Sequence, residues 1–461
     1  MTKIKKSELK AHLLKGIQVL KSKLNYAEYS YLILALFFFY YTGAVPPQTN
    51  ANYRTQRLVA TSRASTTITI QRKKRDLQGE LFDDFSEAEG RNPLLKDVLL
   101  PAISATAISD SVLNNYLDQL DQLQKNTNIF SNTENFGQAY DYWISQLAKL
   151  TLKQGVSFYT PRSVIRLMVG ITKPSEGMTI YDPTAGTGGM FTESVHYIRQ
   201  NGGDVNAVTL YGCETAANIW AICKMNLLAH GLSNIFIHQE DALLSNHDLF
   251  GKFDVVLQNI PVPTESLSKR EAHQLNDEFL KHAFKGIAEN GRGAVLLVSS
   301  ILNENREDFW RQIINRDWLE AVISLPAKLL HGTNSSATIL VMNKQKPDAH
   351  EGNVLFMRPI NTPLPYIRHN ELEDKDVNAA IEAFDAWKRI PDYANVVSNS
   401  TIAEQGYKLN VDKYLNMDEE VPNFDITTAL KRYRLAATER EIAVNRLMKS
   451  LEEHFHSQES D

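Results

Sequence analysis

Hydrophobic positions in the first third of the chain follow helical spacing. Between residues 7 and 42 apolar side chains recur every three or four positions, beginning with Leu9, Leu13 and Ile17, and this pattern predicts two helices. Helical patterns resume near residue 93 and continue to about residue 150. We therefore predict an N-terminal helical domain over residues 1–150.

After residue 156 the spacing of the hydrophobic positions changes. Short β-branched runs alternate with helical patterns, which is typical of a parallel sheet covered by helices on both faces. Seven runs predict a Rossmann-like, doubly wound α/β domain over residues 151–416, and an eighth run extends it. The runs are TIYDPTAG, VTLYGCE, IFIHQED, FDVVLQN, AVLLVSS, LEAVISL, ATILVMNK and, as the eighth, NVLFMRP.

The last segment, residues 417–461, is polar with a sparse apolar stripe. Asp425 is a candidate helix N-cap, and the apolar positions after it follow a seven-residue pattern that Arg440 interrupts. These positions are Leu430, Tyr433, Ala437, Val444, Leu447 and Leu451. Because a single amphipathic helix is weakly stable by itself, we expect a C-terminal helical tail that packs on another helix, of this chain or of a partner.

Composition and charge narrow the class of protein. The 461-residue chain has 43% hydrophobic and 22% charged residues and a net charge of −5, which argues against binding nucleic acid through its global field. Contact with DNA would need a local basic patch or a partner chain. One basic segment, residues 54–75, fits either a solvated loop or an arm whose Arg72, Lys73, Lys74 and Arg75 contact phosphates.

Cysteine content and hydropathy argue against a zinc protein, a disulfide-stabilised secreted protein and a membrane protein. Cys213 and Cys223 lie ten residues apart without histidines at metal-ligand spacing, so neither a zinc site nor a disulfide framework is predicted. Few cysteines fit a cytoplasmic protein, and no signal-peptide pattern is expected. The apolar run from Tyr29 to Tyr41 is about 13 residues, shorter than the ~20 that cross a bilayer. It predicts a buried core helix and no membrane association.

The strongest chemical signal is the segment DPTAGTGGM, residues 182–190. It follows a predicted strand and opens a predicted helix, where glycines allow close approach of a ligand and the helix N-terminus offers N–H donors to an anionic group. Its glycine order does not fit the dinucleotide-binding Gly-x-Gly-x-x-Gly motif. The alternative is an ordinary strand-to-helix turn.

Three further elements follow the next predicted strands and favour a ligand site. Glu214 closes the second strand, where a carboxylate can accept both hydroxyls of a ribose. Asp241 follows the third, where it can accept from the exocyclic amine of an adenine. The turn Asn259-Ile260-Pro-Val ends the fourth. Ligands of open parallel sheets bind beyond the carboxyl ends of the strands, so these elements are predicted to converge on one crevice.

These motifs resemble those of the modification (methylase) subunit of type I restriction-modification systems, an S-adenosylmethionine-dependent adenine-N6 DNA methyltransferase. The resemblance extends over nearly the whole chain. Further segments carry the resemblance: AEYSYLILALFFFYYTG, GVSFYTPRSVIRLMV, WAICKMNLLAHGL, LEAVISLPAKLLHGTNSSATILVMNK and YKLNVDKYL. It implies S-adenosylmethionine as cofactor, no metal, duplex DNA as substrate, and a separate specificity subunit that reads the sequence. It also implies two methylase copies per complex, with or without a restriction subunit.

The resemblance assigns roles to matching positions. The catalytic tetrapeptide is Asn259, Ile260, Pro261 and Val262. The cofactor-binding positions are Phe158, Tyr159, Thr160, Pro161, Asp182, Thr184, Gly186, Gly188 and Gly189, with Glu214 on the ribose and Asp241 on the adenine ring.

This tetrapeptide departs from the family's Asn-Pro-Pro-aromatic pattern at two positions. Ile260 can still offer a main-chain carbonyl, but without the proline ring its direction is less restricted. Val262 cannot stack on a flipped base, and a lost base–aromatic stack costs ~1–3 kcal/mol. We favour an active adenine-N6 methyltransferase. The alternatives are a catalytically impaired, cofactor-binding assembly subunit and an enzyme that methylates cytosine N4 or a glutamine amide.

Overall fold

The computed structural model of the chain describes residues 6–20, 26–44, 77–104, 108–127, 129–151, 160–245, 250–262, 267–303, 307–330, 335–359 and 372–415, with residue 417 and individual residues between 430 and 444. Contacts divide the chain into two units, residues 1–415 and 416–461. The described residues between 430 and 444 are helical. The division at residues 150 and 416 stays a prediction, and the basic segment 54–75 lies outside the described residues.

In the described part of the chain, nine strands form a single sheet. They are β1 (Thr179–Asp182), β2 (Thr209–Cys213), β3 (Ile235–His238), β4 (Phe253–Asn259), β5 (Ile287–Val298), β6 (Leu319–Leu325), β7 (Ala337–Asn343), β8 (Asn353–Met357) and β9 (Ala394–Ser398). Their order is β3-β2-β1-β4-β5-β7-β6-β8-β9. The eight predicted strands are confirmed. Strand β9 was not predicted, because Val396 and Val397 are its only β-branched residues and polar positions flank them.

Strand direction departs from the expected parallel sheet in two places. β7 runs antiparallel to both β5 and β6, and β9 runs antiparallel to β8. The other neighbouring strands are parallel. Among its described residues, the connection from β6 to β7 contains no helix, and antiparallel neighbours can be joined without a crossover helix.

Helices precede, interleave with and follow the strands of this sheet. Before the sheet stand α1 (Lys6–Leu20), α2 (Tyr26–Ala44), α3 (Leu77–Arg91), α4 (Leu100–Ser104), α5 (Asp110–Asn126), α6 (Thr133–Thr151) and α7 (Arg162–Thr172). Later in the chain come α8 (Gly189–Gln200), α9 (Ala217–Ala229), α10 (Lys269–Gly286), α11 (Glu307–Asn315), α12 (Asp374–Ala386), α13 (Asn399–Glu404) and α14 (Val411–Leu415).

Helix α3 starts earlier than the sequence analysis predicts. The second group of helices begins at Leu77 and not near residue 93. Leu77, Leu81, Phe85 and Ala88 recur at helical spacing and are all buried. Three- and four-residue spacing therefore already marks this helix, but its first turn overlaps the polar stretch of residues 44–80, which hides where the spacing begins.

The apolar run around Phe37 is a buried core helix, as predicted. Leu32, Ile33 and Phe37 of α2 are fully buried, and the Phe37 ring stacks on Trp143 of α6 with centroids 3.9 Å apart. Tyr41 stacks on α6 in the same way. No helix in the described part of the chain is long and apolar enough to cross a membrane.

Helices cover both faces of the sheet. Ile180 and Val255 share one buried core with Ile165 of α7 and Phe191 of α8. On the opposite face, the Tyr181 hydroxyl lies 2.8 Å from Nε2 of His282 on α10. Residues at the carboxyl ends of β1 to β4 lie at the edge of the sheet, between the helices that cover its two faces.

Candidate active site

Polar residues stand where the first four strands end. Asp182 is the last residue of β1 and pairs with Gly212 of β2. Glu214 follows β2 directly, and Asp241 lies three residues beyond the end of β3. Asn259 is the last residue of β4. Since β1 to β4 are mutually parallel, the structure brings these four residues to one edge of the sheet.

Two glycines shape the loop between β1 and α8. Gly186 and Gly188 have φ of +53° and +83°, a left-handed conformation that favours glycine. Gly188 is the N-cap of α8, and a Cβ at this position would lie 3.0 Å from Sγ of Cys223. The loop therefore needs glycine here, and the first N–H groups of α8 face outward from the helix end as donors for an anionic group.

Glu214 joins the glycine-rich loop to the start of α9. Its Oε2 accepts from the N–H of Gly186 at 3.1 Å, and its Oε1 accepts from the N–H of Ala216 at 2.8 Å. A carboxylate oxygen has more than one acceptor site. These main-chain hydrogen bonds fix the carboxylate and leave each oxygen able to accept from a hydroxyl.

Asp182 is a buried carboxylate without a cationic partner among the described residues. It is 2% exposed, and it accepts hydrogen bonds from the N–H and the hydroxyl of Thr184 at 2.9 and 3.3 Å. Burial raises its pKa to about 7, although the hydrogen bonds from Thr184 oppose the rise and the charge of Glu214 adds to it. A buried carboxylate with a perturbed pKa in a crevice marks a candidate ligand site.

Asp241 closes a short turn beyond β3. Its Oδ1 accepts from the N–H of Leu243 at 2.9 Å, and its side chain is half-buried. The predicted role toward an adenine ring stays a prediction. No group of His, Cys, Asp and Glu side chains in the described part of the chain could hold a metal ion, and Cys213 and Cys223 are both buried free thiols.

The peptide between Asn259 and Ile260 is held at both of its polar atoms. The carbonyl oxygen of Asn259 accepts from Oγ1 of Thr184 at 3.0 Å. The N–H of Ile260 donates to the carbonyl of Leu296 on β5 at 2.9 Å. One bond comes from the glycine-rich loop and the other extends the β4–β5 ladder. Together they fix the plane of this peptide.

A third hydrogen bond orients the Asn259 side chain. Its Nδ2 donates to Oγ1 of Thr160 at 2.9 Å, which assigns the other amide atom, Oδ1, as the acceptor. Pro161, next to Thr160, precedes α7 as its N-cap. Phe158 and Tyr159, the other residues predicted in this segment, lie outside the described residues.

Of the other three tetrapeptide residues, two lie at the surface and one is buried. The Ile260 side chain is buried, whereas Pro261 is exposed and Val262 is 48% exposed. At position 262 the side chain therefore stands at the rim of the crevice. It occupies the position where the family pattern has an aromatic residue, but it offers no ring.

Sequence reasoning missed how Asn259 is held. Thr160 and Thr184 were predicted only as cofactor-binding residues, and Leu296 was not predicted at all. A hydroxyl at each of two motif positions was a visible signal for the threonines. Leu296 acts through its main-chain carbonyl, so the identity of its side chain carries no such signal.

The fold of this chain matches that of a solved methyltransferase subunit. A solved structure of a type I restriction-modification system methyltransferase subunit from Streptococcus thermophilus superimposes with a TM-score of 0.70 at 20% identity, over 89% of this chain and all of that chain. The chain belongs to the N-6 DNA methylase family, whose model matches residues 131–422.

Two similar proteins are methylase subunits of type I restriction enzymes. The methylase subunit of the type I restriction enzyme HindI from Haemophilus influenzae is 27% identical over 68% of this chain and 76% of its own length. The MjaVII methylase subunit from Methanocaldococcus jannaschii is 25% identical over 65% of this chain. That match spans only 56% of the MjaVII protein.

Proposed function

We propose that this chain is the methylase subunit of a type I restriction-modification system and transfers a methyl group from S-adenosylmethionine to N6 of an adenine in duplex DNA. The observation that carries the proposal is the hydrogen bonding of Asn259. Its carbonyl and its side-chain amide are held by Thr184 and Thr160, one from each of the two predicted cofactor-binding segments. This arrangement supports a catalytic turn that lies beside the cofactor site.

The residues present fit S-adenosylmethionine. Asp182, buried without a described cationic partner, would hold the ammonium group of the methionine part. The N-terminus of α8 at Gly188 suits its carboxylate. Glu214 would accept from the ribose hydroxyls, and Asp241 from the adenine amine. When bound, the cofactor supplies an electrophilic methyl group on a sulfonium centre.

The residues of the chain activate the acceptor nitrogen. N6 of adenine is a weak nucleophile because its lone pair is delocalised into the ring. The Oδ1 of Asn259 and the main-chain carbonyl of Ile260 would accept its two hydrogens and localise the lone pair. Preorganised acceptors of this kind stabilise the positive charge that develops during transfer. The fixed peptide plane before Ile260 supplies rigidity that the family's first proline would otherwise provide.

The DNA substrate and the partners follow from charge and from the relatives. A target base inside a duplex must be flipped out to reach such a site. With a net charge of −5, the chain has no global attraction for DNA, so we infer that a separate specificity subunit reads the sequence, in a cytoplasmic complex with two methylase copies. The two relatives named above are methylase subunits of type I restriction enzymes, which supports the part of this proposal that makes the chain one subunit of a larger enzyme.

The exposed Val262 favours one alternative. Without an aromatic ring at this position, the flipped base is captured more weakly, and the chain could serve as a cofactor-binding assembly subunit without turnover. The intact hydrogen bonding of Asn259 argues against that alternative.

Nucleoside mass spectrometry of DNA tests the proposal. DNA from cells that express the chain with its specificity subunit is expected to contain N6-methyladenine, and DNA from cells with the Asn259→Ala variant is expected to lack it. N4-methylcytosine in place of N6-methyladenine would show that the acceptor is cytosine N4 and not adenine N6. Cofactor binding by the purified complex without any methylated base would establish the assembly-subunit alternative.

The C-terminal tail provides a separate test of the domain division. Removal of residues 425–461 is expected to leave S-adenosylmethionine binding intact and to abolish association with the specificity subunit. Titration calorimetry and size-exclusion chromatography measure the two properties. Loss of cofactor binding in the truncated chain would contradict the proposed boundary.

A further inference from the structure

A buried polar cluster joins the N-terminal helices to the methyltransferase sheet. Asp141 of α6 is buried, and its Oδ2 forms ion pairs with Arg162, the first residue of α7, and with Nε2 of His230, 3.2 Å away, just after α9. Its Oδ1 accepts from Nδ2 of Asn226 on α9 at 3.2 Å. One carboxylate thus has partners on two elements that begin or end beside the candidate active site.

Asn226 extends this cluster into the glycine-rich loop. The same Nδ2 that donates to Asp141 also donates to the carbonyl of Thr187 at 2.9 Å. The main-chain carbonyl of Asn226 lies 2.9 Å from Nδ1 of His230. Because Asn226 is 1% exposed, water does not compete for these contacts, and the position of Thr187 depends on the position of the amide.

Arg162 extends the cluster to the second cofactor-binding segment. It lies two residues after Thr160, whose hydroxyl accepts from Asn259, with only Pro161 between them. The ion pair with Asp141 therefore anchors the chain close to the point where Thr160 meets the catalytic turn. Asp141 is in this way connected to both segments that hold Asn259.

Glycines allow α6 and α9 to approach closely enough for these bonds. Gly137 lies one helical turn before Asp141, and a Cβ there would come within 2.8 Å of the His230 ring. Gly231 follows His230 with a φ of +78°, and a Cβ on it would come within 2.8 Å of Thr133. A glycine inside a helix costs about 1 kcal/mol relative to alanine. At Gly137 the missing side chain leaves room for the His230 ring, and this contact requires the glycine despite that cost.

Arg162 and His230 keep the carboxylate of Asp141 ionised. Burial by itself raises the pKa of Asp141, but the charges of Arg162 and His230 outweigh it and hold the pKa below its ordinary value. The carboxylate therefore stays ionised near neutral pH and keeps its acceptor role. Removing its charge takes away the carboxylate that both Arg162 and His230 contact.

We propose that Asp141, Asn226 and His230 are positioning residues for the cofactor site. Asp141 holds Asn226, which fixes the glycine-rich loop at Thr187, and it holds Arg162, which fixes the segment containing Thr160. The N-terminal helices thereby set the geometry of the cofactor pocket. This inference rests on the proposed function, because it assigns the pocket to S-adenosylmethionine.

Glu320 provides a matched control within the same chain. It is a fully buried carboxylate whose partners are again an arginine, a histidine and an asparagine: Arg292, His350 and Asn343. Arg292 lies four residues before Leu296 along β5, about 13 Å away at ~3.3 Å per residue. This cluster is thus near the opposite edge of the sheet from the candidate active site.

The experiment compares Asp141→Asn, Asn226→Leu and Glu320→Gln in the full-length chain. Titration calorimetry gives the dissociation constant for S-adenosylmethionine, and hydrogen exchange gives the protection of amides 184–189. We expect Asp141→Asn and Asn226→Leu to weaken cofactor binding by about tenfold or more and to speed exchange in this loop. Glu320→Gln is expected to change neither. In turnover assays, the KM for the cofactor should rise more than kcat falls.

Two outcomes would overturn the inference. One is unchanged cofactor affinity and unchanged loop exchange in Asp141→Asn and Asn226→Leu. The other is an equal loss of both in Glu320→Gln, which would show that general destabilisation is the cause. Should Asp141→Asn not fold, Asn226→Leu decides, because it leaves the ion pairs of Asp141 in place. If even the native chain binds no cofactor, the proposed function fails, while the exchange data still test the positioning role.

Discussion

Each of the two edges of the sheet buries a carboxylate. Among the described residues, the carboxylate at one edge forms an ion pair and the carboxylate at the other edge does not. Near the amino ends of the parallel strands, Glu320 is fully buried and paired with Arg292 and His350. At the carboxyl edge, Asp182 is equally inaccessible, and its described partners are the uncharged groups of Thr184. A paired buried charge is a structural element, whereas an unpaired one is expected at a site where a ligand supplies the missing cation.

The largest expected effect is on the free energy of unfolding, when the buried carboxylate at one edge or the other is replaced. Glu320→Ala leaves Arg292 without the carboxylate of its buried ion pair and should destabilise the fold by ~3–5 kcal/mol. Asp182→Asn removes a buried charge that has no counter-ion, and near pH 7.5 it should leave the free energy of unfolding unchanged or increase it. Denaturant titration of the cofactor-free chain measures both. A comparable loss in Asp182→Asn would show that this carboxylate stabilises the fold as Glu320 does.

The next effect concerns turnover at the carboxyl edge. Val262→Phe restores a ring at the rim of the crevice and should raise kcat/KM for DNA by about tenfold to a hundredfold. Because Val262 is 48% exposed, stability should barely change. Methyl incorporation into target DNA is the measurement, with Val262→Leu as an apolar control without a ring. An equal gain in both variants would rule out stacking as the reason.

Ile260→Pro is a poor way to rebuild the family tetrapeptide in this chain. Proline has no N–H, so the hydrogen bond from Ile260 to Leu296 would be lost. A double substitution at Ile260 and Val262 would combine a gain in stacking with damage to the peptide that presents Asn259. The single change at Val262 separates these effects.

A smaller effect is the pH dependence that Asp182 confers. Its pKa of about 7 lies above that of an unfolded-state carboxyl, so the folded chain binds the extra proton between about pH 4 and pH 7. The stability contribution of this group therefore falls as pH rises through that window. Binding of a cationic ligand requires the ionised form, and affinity for S-adenosylmethionine should increase roughly eightfold from pH 6 to pH 7.5.

Calorimetric titration and denaturation across this range measure the pH dependence. The Asp182→Asn variant should show weak cofactor binding with little change between pH 6 and pH 7.5, and its stability should lack the same slope. A native chain whose cofactor affinity stays constant over this range would show that Asp182 is already ionised in the free protein.

How much the sequence predicts differs between fold and site. Eight of the nine strands follow from β-branched runs, because burial on a sheet demands those residues. The antiparallel direction of β7 was not predicted, since periodicity carries no information on direction. Positions such as Asp182 and Asn259 were found from motifs at strand ends. The bonds that hold the Asn259 peptide and side chain join them to the carbonyl of Leu296 and to two threonine hydroxyls. The threonines were visible as motif positions, but no local pattern shows that these distant groups meet Asn259.

The smallest effect tests whether the carboxyl edge is preorganised by such bonds. Thr160→Val keeps the shape of the side chain but removes the hydroxyl that accepts from Nδ2 of Asn259. A neutral hydrogen bond contributes ~0.5–1.5 kcal/mol, so kcat should fall by roughly fivefold while the melting temperature changes little. Thr160→Ser retains the hydroxyl and should stay near the native rate. If valine and serine reduce kcat equally, the methyl group and not the hydroxyl matters, and Asn259 is oriented by other contacts.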